Sequence, residues 1–133
     1  MKYSTLFFAM VAALVMGVTS PVHAQEPHKG AYIEIADSVH DFGDISRKGK
    51  DRKHTFHIKN SGTEPLVILS ASTSCSCTKV KFSRKPIPPQ EESTIEIIVE
   101  PRKVGKGVLH RVVQIHSNAS NGTAILTIKG LTK

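Results

Sequence analysis

The sequence predicts an all-β protein, an Ig-like antiparallel β-sandwich of about seven strands. Three observations carry this. Short runs rich in β-branched residues alternate apolar and polar side chains across residues 31–131. Clusters of Gly, Pro, Asn, Asp and Ser separate these runs at intervals of roughly 8–12 residues. No long helical periodicity follows the N-terminal segment.

The elements follow in chain order. Lys2 precedes an unbroken run of apolar or small residues at 6–18, which Thr19, Ser20 and Pro21 break. Val22-His23-Ala24 then places small residues at the third and first positions before a cut. This pattern predicts a secretory signal peptide over residues 1–24, with cleavage after Ala24. The run is short of the roughly 20 residues that cross a bilayer, so no membrane anchor is expected once it is removed. The expected location is exported, periplasmic or secreted. Residues 25–30 are polar and contain Pro27; they read as a flexible lead-in.

One domain is expected over residues 31–131. "AYIEIA" (31–36) alternates. "DRKHTFHIKN" (51–60) sets His54, Phe56 and Ile58 on one face and Thr55, His57 and Lys59 on the other. "NSGTEP" (60–65) is a turn. "LVILSAS" (66–72) reads as a buried strand and "KVKF" (79–82) as another. "PIPPQEE" (86–92) is excluded from a central strand, because proline donates no ladder hydrogen bond. "STIEIIVEP" (93–101) turns Ile95, Ile97 and Val99 inward. "VLHRVVQIHS" (108–117) does the same with Leu109, Val113 and Ile115, and "TAILTIKG" (123–130) with Leu126 and Ile128. The expected core joins these to Phe42, Leu66 and Ile68. The chain has no Trp and only two Cys, so the inter-sheet disulfide and buried tryptophan of antibody domains are absent. Ig-like therefore describes architecture alone.

Six segments stand in a characteristic order: "HDFGDI" (40–45), "HTFHIKNSGTEPLVI" (54–68), "TSCSCT" (73–78), "PIPP" (86–89), "STIEIIVEP" (93–101) and "QIHSN" (114–118). In this the chain resembles an uncharacterised, domain-of-unknown-function family of exported bacterial proteins with a C-x-C motif. That family is related in fold to the Hydin and major-sperm-protein sandwiches. The resemblance implies a fold and an exported location and brings no activity with it. Two positions depart from the family pattern. Ser76 stands between the cysteines where glycine is usual, and Gln90 follows Pro89 where glycine is usual.

Cys75 and Cys77 are the only residues that suggest chemistry of their own. Three uses are open. A disulfide requires the chain to leave strand geometry at Ser76, since two strand steps separate Cα atoms by about 6.6 Å. Alternatively, two thiolates on one strand face suit copper(I) or zinc, with His40, His54, His57, His110 or His116 to complete the shell. A thiol-redox centre is the third, although the C-x-x-C that opens a helix in thioredoxin-like folds is missing. No other cofactor is expected.

Eighteen Lys and Arg face 11 Asp and Glu, and the excess gathers in loops. Arg47, Lys48, Lys50, Arg52 and Lys53 form one cluster, and Arg102, Lys103 and Lys106 another. They predict a basic surface for an unknown protein or an anionic polymer. Nucleic acid is not expected, because Tyr32, Phe42, Phe56 and Phe82 are too few to build a base-stacking platform. No nucleophile elbow, paired catalytic carboxylates or phosphate loop is present, so no enzyme is expected. The functional expectation is an exported, non-catalytic binding or assembly module. The alternative is a metal or thiol-redox protein acting through Cys75 and Cys77.

Overall fold

A computed structural model of the chain describes residues 25–133 together with Gly17, Ser20 and Pro21. Apart from those three positions, the expected signal peptide lies outside the described residues. Among the described residues there are eight strands: β1 (Ile33–Glu34), β2 (Val39–Ile45), β3 (Arg52–Asn60), β4 (Ile68–Thr73), β5 (Thr78–Phe82), β6 (Glu92–Val99), β7 (Gly107–Ser117) and β8 (Ala124–Thr132). A 3-10 turn, Pro101–Lys103, links β6 to β7. The strands form two four-stranded sheets, ordered β1-β3-β6-β5 and β2-β8-β7-β4. Among the described residues, no helix is long and apolar enough to cross a membrane.

Period-two alternation builds the interior. Phe56 and Ile58 of β3 lie beside Ile95 and Ile97 of β6 in one sheet, and they share the core with Leu109, Val113 and Ile115 of β7 and Leu126 and Ile128 of β8 from the other. Every residue assigned to the core from sequence is buried. Burial of such side chains stabilises by roughly 1.5–3 kcal/mol each before the entropy of ordering is subtracted. Ile33, Ile45, Ile87 and Val104 join them.

Two local features depart from the expected pattern. β2 pairs with β8 in parallel, while every other ladder is antiparallel. The cause is a change of sheet. The chain leaves β1 beside β3, crosses through residues 35–38, and continues as β2 beside β8. The second departure is β4. The run at 66–72 read as buried throughout, but Leu69 is 52% exposed. β4 is an edge strand that packs one face inward and leaves the other to water.

The "FG" of β2 has a local cause. The ladder slips between Asp41 and Asp44, and Gly43 sits there at φ +67°. That left-handed backbone is the glycine-permissive conformation of a bulge. The Asp41 carboxylate accepts the Gly43 N–H at 2.8 Å, which holds the bulge. Phe42 and Ile45, on either side, both turn inward.

Candidate functional site

The two cysteines occupy the turn where the chain passes from one sheet to the other. β4 ends at Thr73 and β5 begins at Thr78, with Ser76 and Cys77 in a turn between them. The Thr78 N–H closes that turn on the Cys75 carbonyl, and the Cys75 N–H donates to Thr73 Oγ1. The Cα atoms of Cys75 and Cys77 stand 5.2 Å apart, and the two sulfurs are bonded. Regular strand spacing would hold them farther apart. The turn, absent from a paired strand, brings them into disulfide range. Cys77 is fully buried against the core, whereas Cys75 is only half-buried. The Glu100 N–H fixes the turn to the end of β6 by donating to the Cys77 carbonyl at 2.8 Å.

Lys79 and Lys103 converge on Glu100, each at 2.6 Å. Hydrogen bonds from Lys103 and then Lys79 hold the Glu100 carboxyl down at about 2. The same contact raises Lys79. Lys103 is therefore paired with Glu100 at the surface and stands outside the cavity that Arg102 and Lys106 line.

The remaining basic residues sort by position. Arg47, Lys48, Arg102 and Lys106 line one open cavity of about 460 Å³, together with Ser46 and Lys133. Three chain segments meet there: the β2–β3 loop, the β6–β7 connection and the end of β8. The Arg47 Nε donates to the Val104 carbonyl at 2.9 Å, which orients the guanidinium. The Arg47 N–H donates to the Lys133 carbonyl, and the Lys133 N–H donates to the Ile45 carbonyl. Lys133 also pairs with Asp44 at 2.8 Å. Sequence reasoning did not place Lys133 here, because its neighbours lie at the other end of the chain.

Arg52, grouped with these residues from sequence, has a different task. Its guanidinium donates to the Phe42 and Asp44 carbonyls and lies over the Phe42 ring. It stitches β3 to β2 across the open side of the sandwich. Lys50 and Lys53 are exposed and stand outside the cavity lining.

The histidines do not gather around the cysteines. Among the described residues, no three His, Cys, Asp or Glu side chains form a group able to hold a metal. His40 and His54 instead stack on each other, with ring centroids 3.6 Å apart. Phe42 and Phe56 meet them edge-on. His110 is exposed, and His116 lies between Ser72 and Thr123. His57 points to the face opposite His54, as alternation requires.

Burial lowers the pKa of His54 below 6.5, and the neighbouring His40 lowers it further; Asp37 opposes the shift and His57 adds to it. Just below pH 6.5 the unfolded chain therefore binds a proton that the folded chain resists. Stability falls as pH drops through that window. His54→Phe keeps an aromatic ring in the stack but cannot titrate. It is expected to flatten the loss of stability between about pH 7 and about pH 5, followed by urea denaturation at each pH. An unchanged slope would mean that His54 is not the group that titrates.

Comparison with known proteins places this geometry. The family described as a protein of unknown function, DUF1573, matches residues 33–132, the span from β1 to β8. No curated protein matches the chain. A protein of unknown function from Porphyromonas gingivalis W83 superposes with a TM-score of 0.69 at 20% identity, over 80% of this chain and 48% of that one. The chain thus spans about half that protein's length. The seventh PapD-like domain of human CEP192 gives a TM-score of 0.62 at 12% identity, over 76% of this chain and 84% of that one. The periplasmic chaperone SfaE gives 0.51 at 10% identity, over 76% of this chain and 56% of that one. At these identities the likeness is one of fold: a PapD-like, Ig-type sandwich.

Proposed function

The chain belongs to the DUF1573 family, and from that premise we propose that it is an exported, non-catalytic binding module whose basic end takes an anionic partner. One observation carries the proposal. Arg47, Lys48, Arg102 and Lys106, drawn from two loops far apart in sequence, line the same cavity with no acidic side chain among its lining residues. Like charges brought together in a concave, solvent-open site raise the local positive potential and attract anions. Asp44 pairs with Lys133 at the cavity's edge, which leaves the other four basic residues of the lining without a salt bridge among the described residues. Export rests on the sequence of residues 1–24, and an exported binding domain would meet acidic polymers and acidic protein surfaces there.

The test uses linear polyphosphate as a defined polyanion, with affinity measured by calorimetry at low ionic strength. Reversal of Lys48, Arg102 and Lys106 to glutamate is expected to weaken binding by at least about tenfold, and added salt to narrow the difference. Reversal of Lys50 and Lys53, outside the cavity, serves as the control of equal kind. An equal loss from the control pair, or no loss from the cavity variant, refutes a built site at this end.

A further inference from the structure

We propose a thiol–disulfide exchange site at the β4–β5 turn, in which an incoming thiolate attacks Cys75 and only Cys75. This goes beyond the binding role. It rests on the unequal burial of the two sulfur-bearing residues and on the groups around them. Cys77 has no exposed surface, while Cys75 is half-buried at the mouth of the turn. Displacement at sulfur requires the nucleophile to arrive opposite the sulfur that leaves. With Cys77 on the core side, solvent offers the open approach to Cys75 and none to Cys77.

The surroundings suit an exchange that reverses readily. The Cys77 N–H points at Cys75 Sγ at 3.2 Å, a donor that steadies negative charge when Cys75 is a thiolate. Thr78 Oγ1 lies 3.5 Å from Cys77 Sγ and gives the inner sulfur a hydroxyl partner. A thiolate at Cys77 would be buried charge, which favours its rapid return to Cys75 or its protonation. Beside the turn lies an open cavity of about 350 Å³ lined by Ser72, Thr73, Ser74, Val112 and Gln114. Its mostly polar walls, shared by β4 and β7, suit an extended polypeptide, and the two-electron exchange requires that peptide to carry two thiols.

The steps balance. One substrate thiol, deprotonated to water, attacks Cys75 Sγ; a new S–S bond forms and the Cys75–Cys77 bond breaks, with its electron pair going to Cys77. The Cys77 thiolate takes the proton of the second substrate thiol. The second substrate sulfur, now a thiolate, attacks the substrate sulfur of the mixed disulfide and expels Cys75, which is protonated by water. The substrate dithiol is oxidised to a disulfide, and the Cys75–Cys77 disulfide is reduced to a dithiol.

The experiment mixes oxidised full-length protein with a reduced synthetic peptide carrying Cys-x-x-Cys. The mixture is quenched with an alkylating reagent and mapped by mass spectrometry. One peptide disulfide per protein dithiol is expected, with the trapped mixed disulfide on Cys75. A mixed disulfide mapped to Cys77, or a disulfide that reacts only in denaturant, overturns the proposal. Single variants give a second readout against an aromatic disulfide reagent in native buffer. The thiol of Cys77→Ser is expected to react roughly a hundredfold faster than that of Cys75→Ser, whose buried sulfur is reached only by local opening. Equal rates in two folded variants would also overturn it.

Discussion

Gly62→Ala is expected to lower the stability of the sandwich by about 3 kcal/mol or more, read as a lower urea midpoint at unchanged slope. An added Cβ would overlap the Gly30 carbonyl oxygen, and it would lie 2.7 Å from the Tyr32 nitrogen and 3.0 Å from the Ala31 carbonyl carbon. These are backbone atoms, so no side chain can rotate away. Nor can the segment withdraw freely. The Thr63 and Glu64 N–H groups donate to the Gly30 carbonyl, the Ser61 N–H donates to the Tyr32 carbonyl, and the Gly30 N–H donates to Thr63 Oγ1. Relief of the overlap must break some of these bonds in a domain whose whole stability is about 5–15 kcal/mol. Gly105 is the control, since a Cβ there meets nothing within 4 Å. Gly105→Ala is expected to stay within about 0.5 kcal/mol of the parent. If the two variants unfold together, the close approach is not what requires glycine at position 62.

The second large effect is expected at Asn60. Its side chain is fully buried and joins three loops. Nδ2 donates to the carbonyls of Glu64 and Ile87, at 2.7 and 2.9 Å. Oδ1 accepts from the N–H groups of Gly62 and Tyr32, at 3.0 and 3.4 Å. Asn60→Asp keeps the shape and replaces the donor by an acceptor. Two carbonyl oxygens would then face a carboxylate oxygen away from water. A buried charge without its partner costs about 3–5 kcal/mol, and that loss is expected near pH 7. Burial against carbonyls would raise the folded pKa of the new aspartate above its unfolded value. Its neutral form then binds its proton more tightly in the folded chain, so stability is recovered as pH falls and lost as pH rises. Denaturation at about pH 7 and about pH 4.5 separates the two outcomes. A loss that does not shrink in acid would show that the hub tolerates the charge.

These two residues explain part of the sequence pattern. In "NSGTEPL", Asn60 supplies the hub, Gly62 lets the lead-in segment lie against the turn, and Leu66 returns to the core. The pattern alone read as a turn, and it is one. Its reach to residues 30–32 and 87 had no local signature. Ile87 shows the same limit. It stands between prolines in a segment excluded from a central strand, yet it is buried and exchanges two backbone hydrogen bonds with Leu66. Gln90 marks a further case. It is the one described non-glycine residue at positive φ, at +67°. Its side-chain amide donates to the Gly62 carbonyl at 3.2 Å, a contact glycine would lack.

Strands β3, β6, β7 and β8, their inward faces and the turns around them were determined by the sequence itself. Alternation at period two depends only on near neighbours, so β3, β6, β7 and β8 could be read with their inward residues. The spacing of Cys75 and Cys77 likewise showed that a bond required a bend at Ser76. Three matters were decided only by tertiary structure. β2 came to lie parallel to β8, which placed Lys133 beside Arg47. Arg52 bonded back to β2 and Lys103 paired with Glu100, while Arg47, Lys48, Arg102 and Lys106 came to line one cavity. Cys77 was sealed against the core and Cys75 was left half-buried. The physical reason is common to all three. Burial and charge pairing depend on what packs against a side chain, and here the neighbours come from strands and loops remote in the chain.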